Sequence, residues 1–191
     1  WAQEATEVIR VACVGNSITF GAGIANRDRD SYPSVLGQML GRGYEVRNFG
    51  FSARTMLMKG DHPYMKEQMF QDPLKYNPYI VVIKLGTNDS SAFKAIPSKP
   101  KIYLCYPPKA YQVQYSINDS IIEHGVIPVI DQVAKRNKLP IIDLHTALSG
   151  TKEHFPDNVH PDPVGTHKIA ETVYKAITGQ ESSHRMQAFP G

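Results

Sequence analysis

The sequence predicts an α/β domain with three layers, in which helices cover both faces of a doubly wound, five-stranded parallel sheet. Several runs rich in Val and Ile lack polar alternation, which is typical of strands buried on both faces. Helical patterns separate most of these runs, as the crossovers of a parallel sheet require. The length of 191 residues suits one domain with a core of its own.

Five strands are predicted, and each of the first four is followed by a residue that stops a strand. They cover residues 8–14, 44–49, 79–85, 101–106 and 139–144. The first three are followed by glycine, and the fourth is followed by Pro107 and Pro108. In a doubly wound sheet, ligands bind outside the carboxyl ends of the strands. The residues that follow these strands are therefore the first candidates for a functional site.

Four helices are predicted between and after the strands, over residues 33–40, 63–76, 163–178 and within 118–137. The helix over residues 163–178 has the clearest boundaries, because Asp162 is a capping residue, Pro163 suits the first turn and Gly179 suits the end. Its apolar stripe consists of Ile169, Ala170, Val173, Tyr174 and Ile177. The domain is expected to span residues 1–179, followed by a loose tail over residues 180–191.

The connection between the third and fourth strands is short for a parallel crossover. Only residues 90–100 are available, and Pro97 and Pro100 disfavour a helix there. We therefore expect an irregular crossover that leaves one sheet face thinly covered. Such a face would be a candidate contact for a homo-oligomer.

Composition excludes several classes of function. The net charge is +3 and basic residues are interleaved with acidic ones, which does not indicate binding to nucleic acid or to a membrane surface. Cys13 and Cys105 lie in apolar runs and are expected to be buried free thiols. The sequence contains no CxxC or HExxH motif, so neither a metal site nor another cofactor is predicted.

The origin of the chain is indicated only indirectly. It begins at Trp1, without methionine, which is expected of a processed form or an excised domain. Asn88 and Asn118 lie in N-x-S sequons, but a glycan on Asn88 would block the site proposed below. A bacterial protein, secreted or periplasmic, is therefore expected.

Ser17, Asp157 and His160 together have the chemistry of a nucleophile, an orienting acid and a base. Ser17 follows the first predicted strand, and a serine needs a base within hydrogen-bond reach to become nucleophilic. Asp157 precedes His160 by three residues and can reach the far ring nitrogen, leaving the other nitrogen for the serine. Taken singly, each residue is more often a turn, cap or surface residue; the combination predicts a catalytic triad.

Acyl transfer also needs donors to the developing oxyanion. Three candidates follow successive strands: the backbone N–H of Ser17, the backbone N–H of Gly50 and the side-chain amide of Asn88. Glycine at position 50 lets the chain approach a substrate closely. A strand-end turn at Gly50 and an Asx cap at Asn88 are the alternatives for each residue alone.

The four segments resemble the sequence blocks of the SGNH (GDSL-type) hydrolase family. They are Gly15-Asn16-Ser17-Ile18, Asn48-x-Gly50, Gly86-x-Asn88-Asp89 and Asp157-x-x-His160, in the order of the family. The resemblance implies a flavodoxin-like fold, Ser17 as nucleophile, His160 as base with Asp157, and Ser17, Gly50 and Asn88 as oxyanion donors. Asn16 replaces the usual aspartate of the first block. The short 90–100 segment is a second departure, and it affects the local wall of the pocket.

Within the family, the runs KIYLCYPP, SINDSII and IIDLHTALSG resemble bacterial carbohydrate acetylesterases of the sialate O-acetylesterase or acetylxylan esterase type. The resemblance implies a serine esterase that removes acetyl groups from an acetylated carbohydrate. The alternatives are a lipase or thioesterase for longer acyl chains, and a non-catalytic carbohydrate-binding module. Pocket-lining candidates, for which plain packing is an equal alternative, are Tyr106, Tyr111, Tyr115 and Asn118.

Overall fold

The computed structural model describes residues 7–52, 71–84, 89–114 and 117–184. Its centre is a five-stranded sheet in the order β2-β1-β3-β4-β5, with every neighbouring pair parallel. The strands are β1 (Ile9–Gly15), β2 (Tyr44–Gly50), β3 (Ile80–Lys84), β4 (Lys101–Tyr106) and β5 (Ile141–Asp143). The predicted fold class is therefore confirmed, and each strand lies within three residues of its predicted ends.

Helices flank both faces of the sheet. They are α1 (Ser17–Phe20), α2 (Arg27–Asp30), α3 (Tyr32–Leu40), α4 (Gln71–Lys75), α5 (Asp89–Lys94), α6 (Asp119–Ile121), α7 (Ile127–Asn137), α8 (Leu144–Ala147) and α9 (Pro163–Thr178), with a π-helical segment Ile122–Val126 and a 3₁₀ turn Lys152–His154. The predicted ends of α9 are confirmed: the Asp162 side chain accepts a hydrogen bond from the N–H of Gly165, and Gly179 is left-handed. Within the described residues, no helix is long and apolar enough to cross a bilayer.

The predicted helix over residues 63–76 is described only at α4, and the rest lies outside the described residues. The predicted helix within 118–137 runs through α6, the π-helical segment and α7. The wide π turn falls just before Pro128, which lacks an N–H and whose ring would clash with the carbonyl of residue 124 in a regular α-helix.

Alternate side chains of the central strands enter two separate cores. On one face, Cys13 and Cys105 pack with residues of α3 and α9. On the other face, Val14, Ile83 and Leu104 pack with α5 and α7. The two thiols are buried and free, as predicted. Both faces of the central strands are buried, as expected for strands rich in Val and Ile without polar alternation.

The expectation for the 90–100 crossover was wrong. Residues 89–94 form helix α5, and the Phe93 side chain is fully buried against the sheet. Pro97 and Pro100 do disfavour a helix, but both lie beyond its end. The strand side chains on this face, such as Ile83 and Leu104, are almost fully buried. The face is not thinly covered, so the expected homo-oligomer contact there loses its structural basis.

Candidate active site

Ser17 is the first residue of α1 and directly follows the turn at the end of β1. Asn16 caps this helix, with its Oδ1 accepting the N–H of Ile18 at 3.2 Å. Gly15 allows the tight turn, because a Cβ there would lie 1.9 Å from the Thr19 Oγ1. The carboxyl end of a central strand thus presents Ser17 at the edge of the sheet where ligands bind.

The loop before α9 holds Asp157 and His160 in contact with each other. The His160 Nδ1 lies 2.6 Å from the Asp157 Oδ2, and the Asp157 Oδ1 accepts the N–H groups of Val159 and His160. Asn158, between them, has a φ of 68°, a left-handed conformation that asparagine tolerates better than most residues. The three-residue spacing therefore forms a closed loop around the carboxylate.

His160 also reaches the candidate nucleophile, across 143 residues of sequence. Its Nε2 lies 2.9 Å from the Oγ of Ser17. An ionised carboxylate only accepts hydrogen bonds, so the Asp157 contact places the ring proton on Nδ1. In neutral His160 the Nε2 then accepts from the hydroxyl of Ser17. The geometry is suited to moving a proton from the serine to the ring.

The electrostatics of Asp157 favour its charged form. Partial burial acts to raise the pKa of its carboxyl, but hydrogen bonds from the His160 ring and from the N–H groups of His160 and Val159 outweigh burial. The pKa of Asp157 therefore lies below its ordinary value. A carboxylate that stays ionised can keep the Nδ1 proton in place and stabilise an imidazolium.

The candidate oxyanion donors are less completely described. Asn88 lies outside the described residues. The N–H of Gly50, expected to be accessible, donates to the Oδ1 of Asn48 at 2.8 Å. Glycine at position 50 also has a packing reason, because a Cβ would lie 2.1 Å from the backbone N of Phe20 in α1. The backbone of Gly50 is thus in close contact with α1, the helix that begins at Ser17.

Tyr111 supports the loop that carries Asp157 and His160. Its backbone N–H donates to the carbonyl of Asn158 at 3.1 Å, and its ring packs on Phe155 with centroids 5.3 Å apart. Its hydroxyl accepts the N–H of Thr151 at 2.9 Å. Tyr111 therefore has a packing role under the loop, and sequence reasoning did not identify this partnership.

The other pocket-lining candidates also have structural partners. The Tyr106 hydroxyl donates to Asp131, and the Asn118 side chain caps α6 by accepting the N–H of Ile121 at 2.9 Å. Burial and the Asp131 contact raise the pKa of Tyr106 to about 12. Tyr115 lies outside the described residues.

A polar cluster that sequence reasoning missed lies beside the loop after β4. Asp119, Glu123 and His145 place possible ligand atoms within 4.8 Å of one another. However, the Asp119 carboxylate already accepts from the Lys109 Nζ at 2.7 Å and from the Ala110 N–H at 3.2 Å. A cation would have to compete with the lysine, so these contacts fit a loop anchor rather than a metal site.

A serine, a histidine and an aspartate in hydrogen-bond contact, at the carboxyl edge of a doubly wound parallel sheet, form the constellation of serine hydrolases. The sequence profile of the GDSL-like Lipase/Acylhydrolase family matches residues 13–121. The chain belongs to this family, which confirms the resemblance found in the sequence.

Known proteins similar to this chain include one close relative in sequence. The chain is 42% identical to an acetylxylan esterase of Xylanibacter ruminicola over 208 aligned positions, which cover 90% of the chain and 43% of the relative. It thus spans less than half the length of the curated relative that it matches.

Solved structures confirm the fold. An aryl esterase of M. smegmatis superposes with a TM-score of 0.68 and 18% identity, covering 90% of this chain and 99% of that one. A two-domain esterase active on acetylated mannans superposes with a TM-score of 0.67 and 16% identity, covering 97% of this chain and 55% of that one. A carbohydrate acetylesterase family member from Sinorhizobium meliloti superposes with a TM-score of 0.67 and 19% identity, covering 89% of this chain and 97% of that one.

Proposed function

We propose that this chain is a serine esterase that removes acetyl groups from an acetylated carbohydrate. The observation that carries the proposal is the unbroken chain of hydrogen bonds from Ser17 through His160 to Asp157. The choice of acyl group and substrate is supported by the 42% identity to an acetylxylan esterase. Mannan and xylan are both acetylated on sugar hydroxyls, so the shared chemistry is a small ester on a bulky polar alcohol.

The reaction proceeds in two halves. The Oγ of Ser17 attacks the ester carbonyl carbon while His160 Nε2 takes the hydroxyl proton, and Asp157 stabilises the resulting imidazolium. The tetrahedral intermediate collapses as His160 returns the proton to the leaving sugar oxygen, which leaves an acetyl group on Ser17. His160 then takes a proton from water, the hydroxide attacks the acyl carbonyl, and acetate leaves as Ser17 recovers its proton.

The oxyanion of each intermediate needs positioned donors. We assign this role to the backbone N–H of Ser17, the backbone N–H of Gly50 and the side chain of Asn88. Gly50 can join only by sharing or releasing its hydrogen bond to Asn48.

A polymeric substrate also bears on location. Acetylated polysaccharides do not cross cell membranes, so an enzyme that acts on them works outside the cytoplasm. We therefore place this enzyme in the secreted or periplasmic space of a bacterium. Immunoblotting of culture medium, periplasm and cytoplasm from the native host would test this placement.

The test of the proposed activity compares p-nitrophenyl acetate, butyrate and octanoate, with Ser17→Ala as the matched control. Turnover that decreases with chain length and vanishes in Ser17→Ala is expected, followed by acetate release from acetylated xylan. Activity that rises with chain length would favour a lipase or thioesterase. Folded wild-type protein that binds acetylated xylan without turnover would favour a binding module.

A further inference from the structure

Lys84 is a buried lysine directly behind the turn that presents the candidate nucleophile. It is the last residue of β3 and pairs in register with Gly15, two residues before Ser17. Only 3% of its surface is exposed. Lysine is almost never buried to this extent without a charged partner, so its surroundings need an explanation.

The contacts of Lys84 lead to the nucleophile turn. Its Nζ donates to the Oδ1 of Asn16 at 3.1 Å, and the same oxygen accepts the N–H of Ile18 at 3.2 Å. Asn16 and Ile18 flank Ser17 in sequence. One amide oxygen therefore joins the ammonium to both sides of the serine.

Among the side chains that the structure describes, which leave out those of residues 85–91, no carboxylate lies within ion-pair distance of the Lys84 ammonium. Burial lowers its pKa from 10.5 to about 8, and the thiol of Cys105 on β4 opposes this shift. A buried charge with one neutral acceptor is costly, and an apolar side chain of similar length would avoid that cost. The position thus reduces stability for as long as the lysine is charged.

We propose that Lys84 is a positioning residue for Ser17: its ammonium holds the Asn16 amide with Oδ1 facing the Ile18 N–H, and so fixes the turn that carries the nucleophile and its backbone N–H. An asparagine amide can rotate by half a turn and exchange its oxygen for its nitrogen. An ammonium has donors only, so it selects the oxygen. Its positive charge also favours negative charge at the adjacent turn, where the oxyanion forms. This inference rests on the proposed esterase function.

The test replaces Lys84 by methionine, with Lys175→Met as the control for a lysine-to-methionine change at an exposed site. With p-nitrophenyl acetate, Lys84→Met is expected to lower kcat at least tenfold and to leave KM unchanged. Its melting temperature is expected to equal or exceed that of the wild type, because the buried charge is gone. A residue needed only for the fold would lose stability and activity together.

Two further readouts separate the proposed role from a general packing effect. The wild-type rate is expected to fall as pH rises through about 8, where Lys84 loses its proton, and Lys84→Met should lack this alkaline decrease. If Lys84 acts through Asn16, adding Lys84→Met to Asn16→Ala should cause no further loss, because residues in one network are not additive.

Three results would overturn the inference: kcat of Lys84→Met within twofold of wild type, a lower melting temperature that accompanies the loss of rate, or additive losses in the double variant. If Lys84→Met does not fold, the inference is tested by comparing the pH–rate profiles of wild type and Asn16→Ala. An alkaline decrease that is unchanged in Asn16→Ala also overturns it. Wild-type turnover that vanishes in Ser17→Ala supports the esterase whatever Lys84→Met shows. An inactive wild type would remove both proposals.

Discussion

The Oδ1 of Asn48 accepts the backbone N–H of Gly50 at 2.8 Å, while the Nδ2 of the same asparagine donates to the carbonyl of Thr19 at 2.8 Å. One side chain thus connects the end of β2 with α1, the helix that begins at Ser17. The separation between the candidate nucleophile and the candidate oxyanion donor Gly50 depends on this connection.

Replacing Asn48 by alanine tests the importance of this link. The Thr19 carbonyl would lose its donor, so we expect the free energy of unfolding to fall by about 1–3 kcal/mol. Loss of the fixed distance between α1 and Gly50 should lower kcat roughly tenfold. Asn137→Ala is the matched control, because Asn137 also donates to a backbone carbonyl, that of Val133, on α7, which packs on the sheet face opposite to α9. Equal rates in the two variants would contradict the role given to Asn48.

Gly50→Ala tests the close approach of β2 and α1. The new Cβ would lie 2.1 Å from the backbone N of Phe20, and backbone cannot move aside as a flexible side chain can. We expect a loss of about 3 kcal/mol or more in the free energy of unfolding, measured by chemical denaturation. Gly37→Ala is the control. Gly37 lies within helix α3, and a Cβ there would be 3.5 Å from the side chain of Val46, an ordinary contact distance, so the alanine is expected to stabilise the protein by about 0.5–1 kcal/mol. A Gly50→Ala protein as stable as wild type would refute the contact.

Asp157→Asn tests the orienting carboxylate. The amide oxygen can still accept the N–H groups of Val159 and His160, so the loop should keep its shape. The group facing Nδ1 can no longer stabilise an imidazolium, so kcat should fall roughly 10²- to 10⁴-fold with little change in KM. Steady-state kinetics and a thermal melt measure the two effects. A variant with wild-type kcat would exclude Asp157 from the triad.

The buried thiols predict how stability changes at alkaline pH. Burial raises the pKa of both Cys13 and Cys105 from 9.0 to about 12. Between these values the unfolded chain releases thiol protons that the native protein keeps, so the free energy of unfolding falls as pH rises above 9. Each thiol contributes a slope of about 1.4 kcal/mol per pH unit at most. Lys84 acts in the opposite direction between about 8 and 10.5, because the unfolded chain then binds the extra proton.

Urea denaturation under reducing conditions, in steps from pH 8 to pH 10, measures this effect. The double variant Cys13→Val, Cys105→Val is compared with wild type, since valine is apolar and similar in size. Above pH 9 the free energy of unfolding of the wild type should fall steadily relative to that of the double variant. A difference that is constant with pH would show that the thiols ionise alike in both states.

Much of the fold was predictable because its signals are local. β1 and β3 are short runs rich in Val and Ile that end at a glycine or next to one, and α9 has a cap, an early proline and a terminal glycine in sequence order. The contact between Asp157 and His160 is also local, since both lie in one loop. The prediction is wrong at α5, because Pro97 and Pro100 disfavour a helix only beyond Lys94, where α5 has already ended. Phe93, the residue that covers the sheet, was the signal that could have identified this helix.

The supporting contacts of the site were not predictable, because their partners are distant in sequence. Lys84 lies in an apolar strand pattern, and nothing near it points to Asn16, 68 residues earlier. The sequence suggests Tyr111 as a pocket-lining residue, but the contact of its N–H with Asn158, in the loop of Asp157 and His160, depends on how two loops pack. Asn48 belongs to a recognisable block, yet only the folded turn shows that its oxygen occupies the Gly50 N–H.

The separation of 143 positions between Ser17 and His160 has a consequence for biosynthesis. A ribosome releases the serine early and the histidine late, and the loop of His160 is anchored by α9, which packs on α3. A chain interrupted before His160 therefore carries Ser17 without its proposed base, and the proposed hydrolysis has to wait until α9 has docked. On the proposed mechanism, hydrolytic activity therefore reports that α9 has docked against α3.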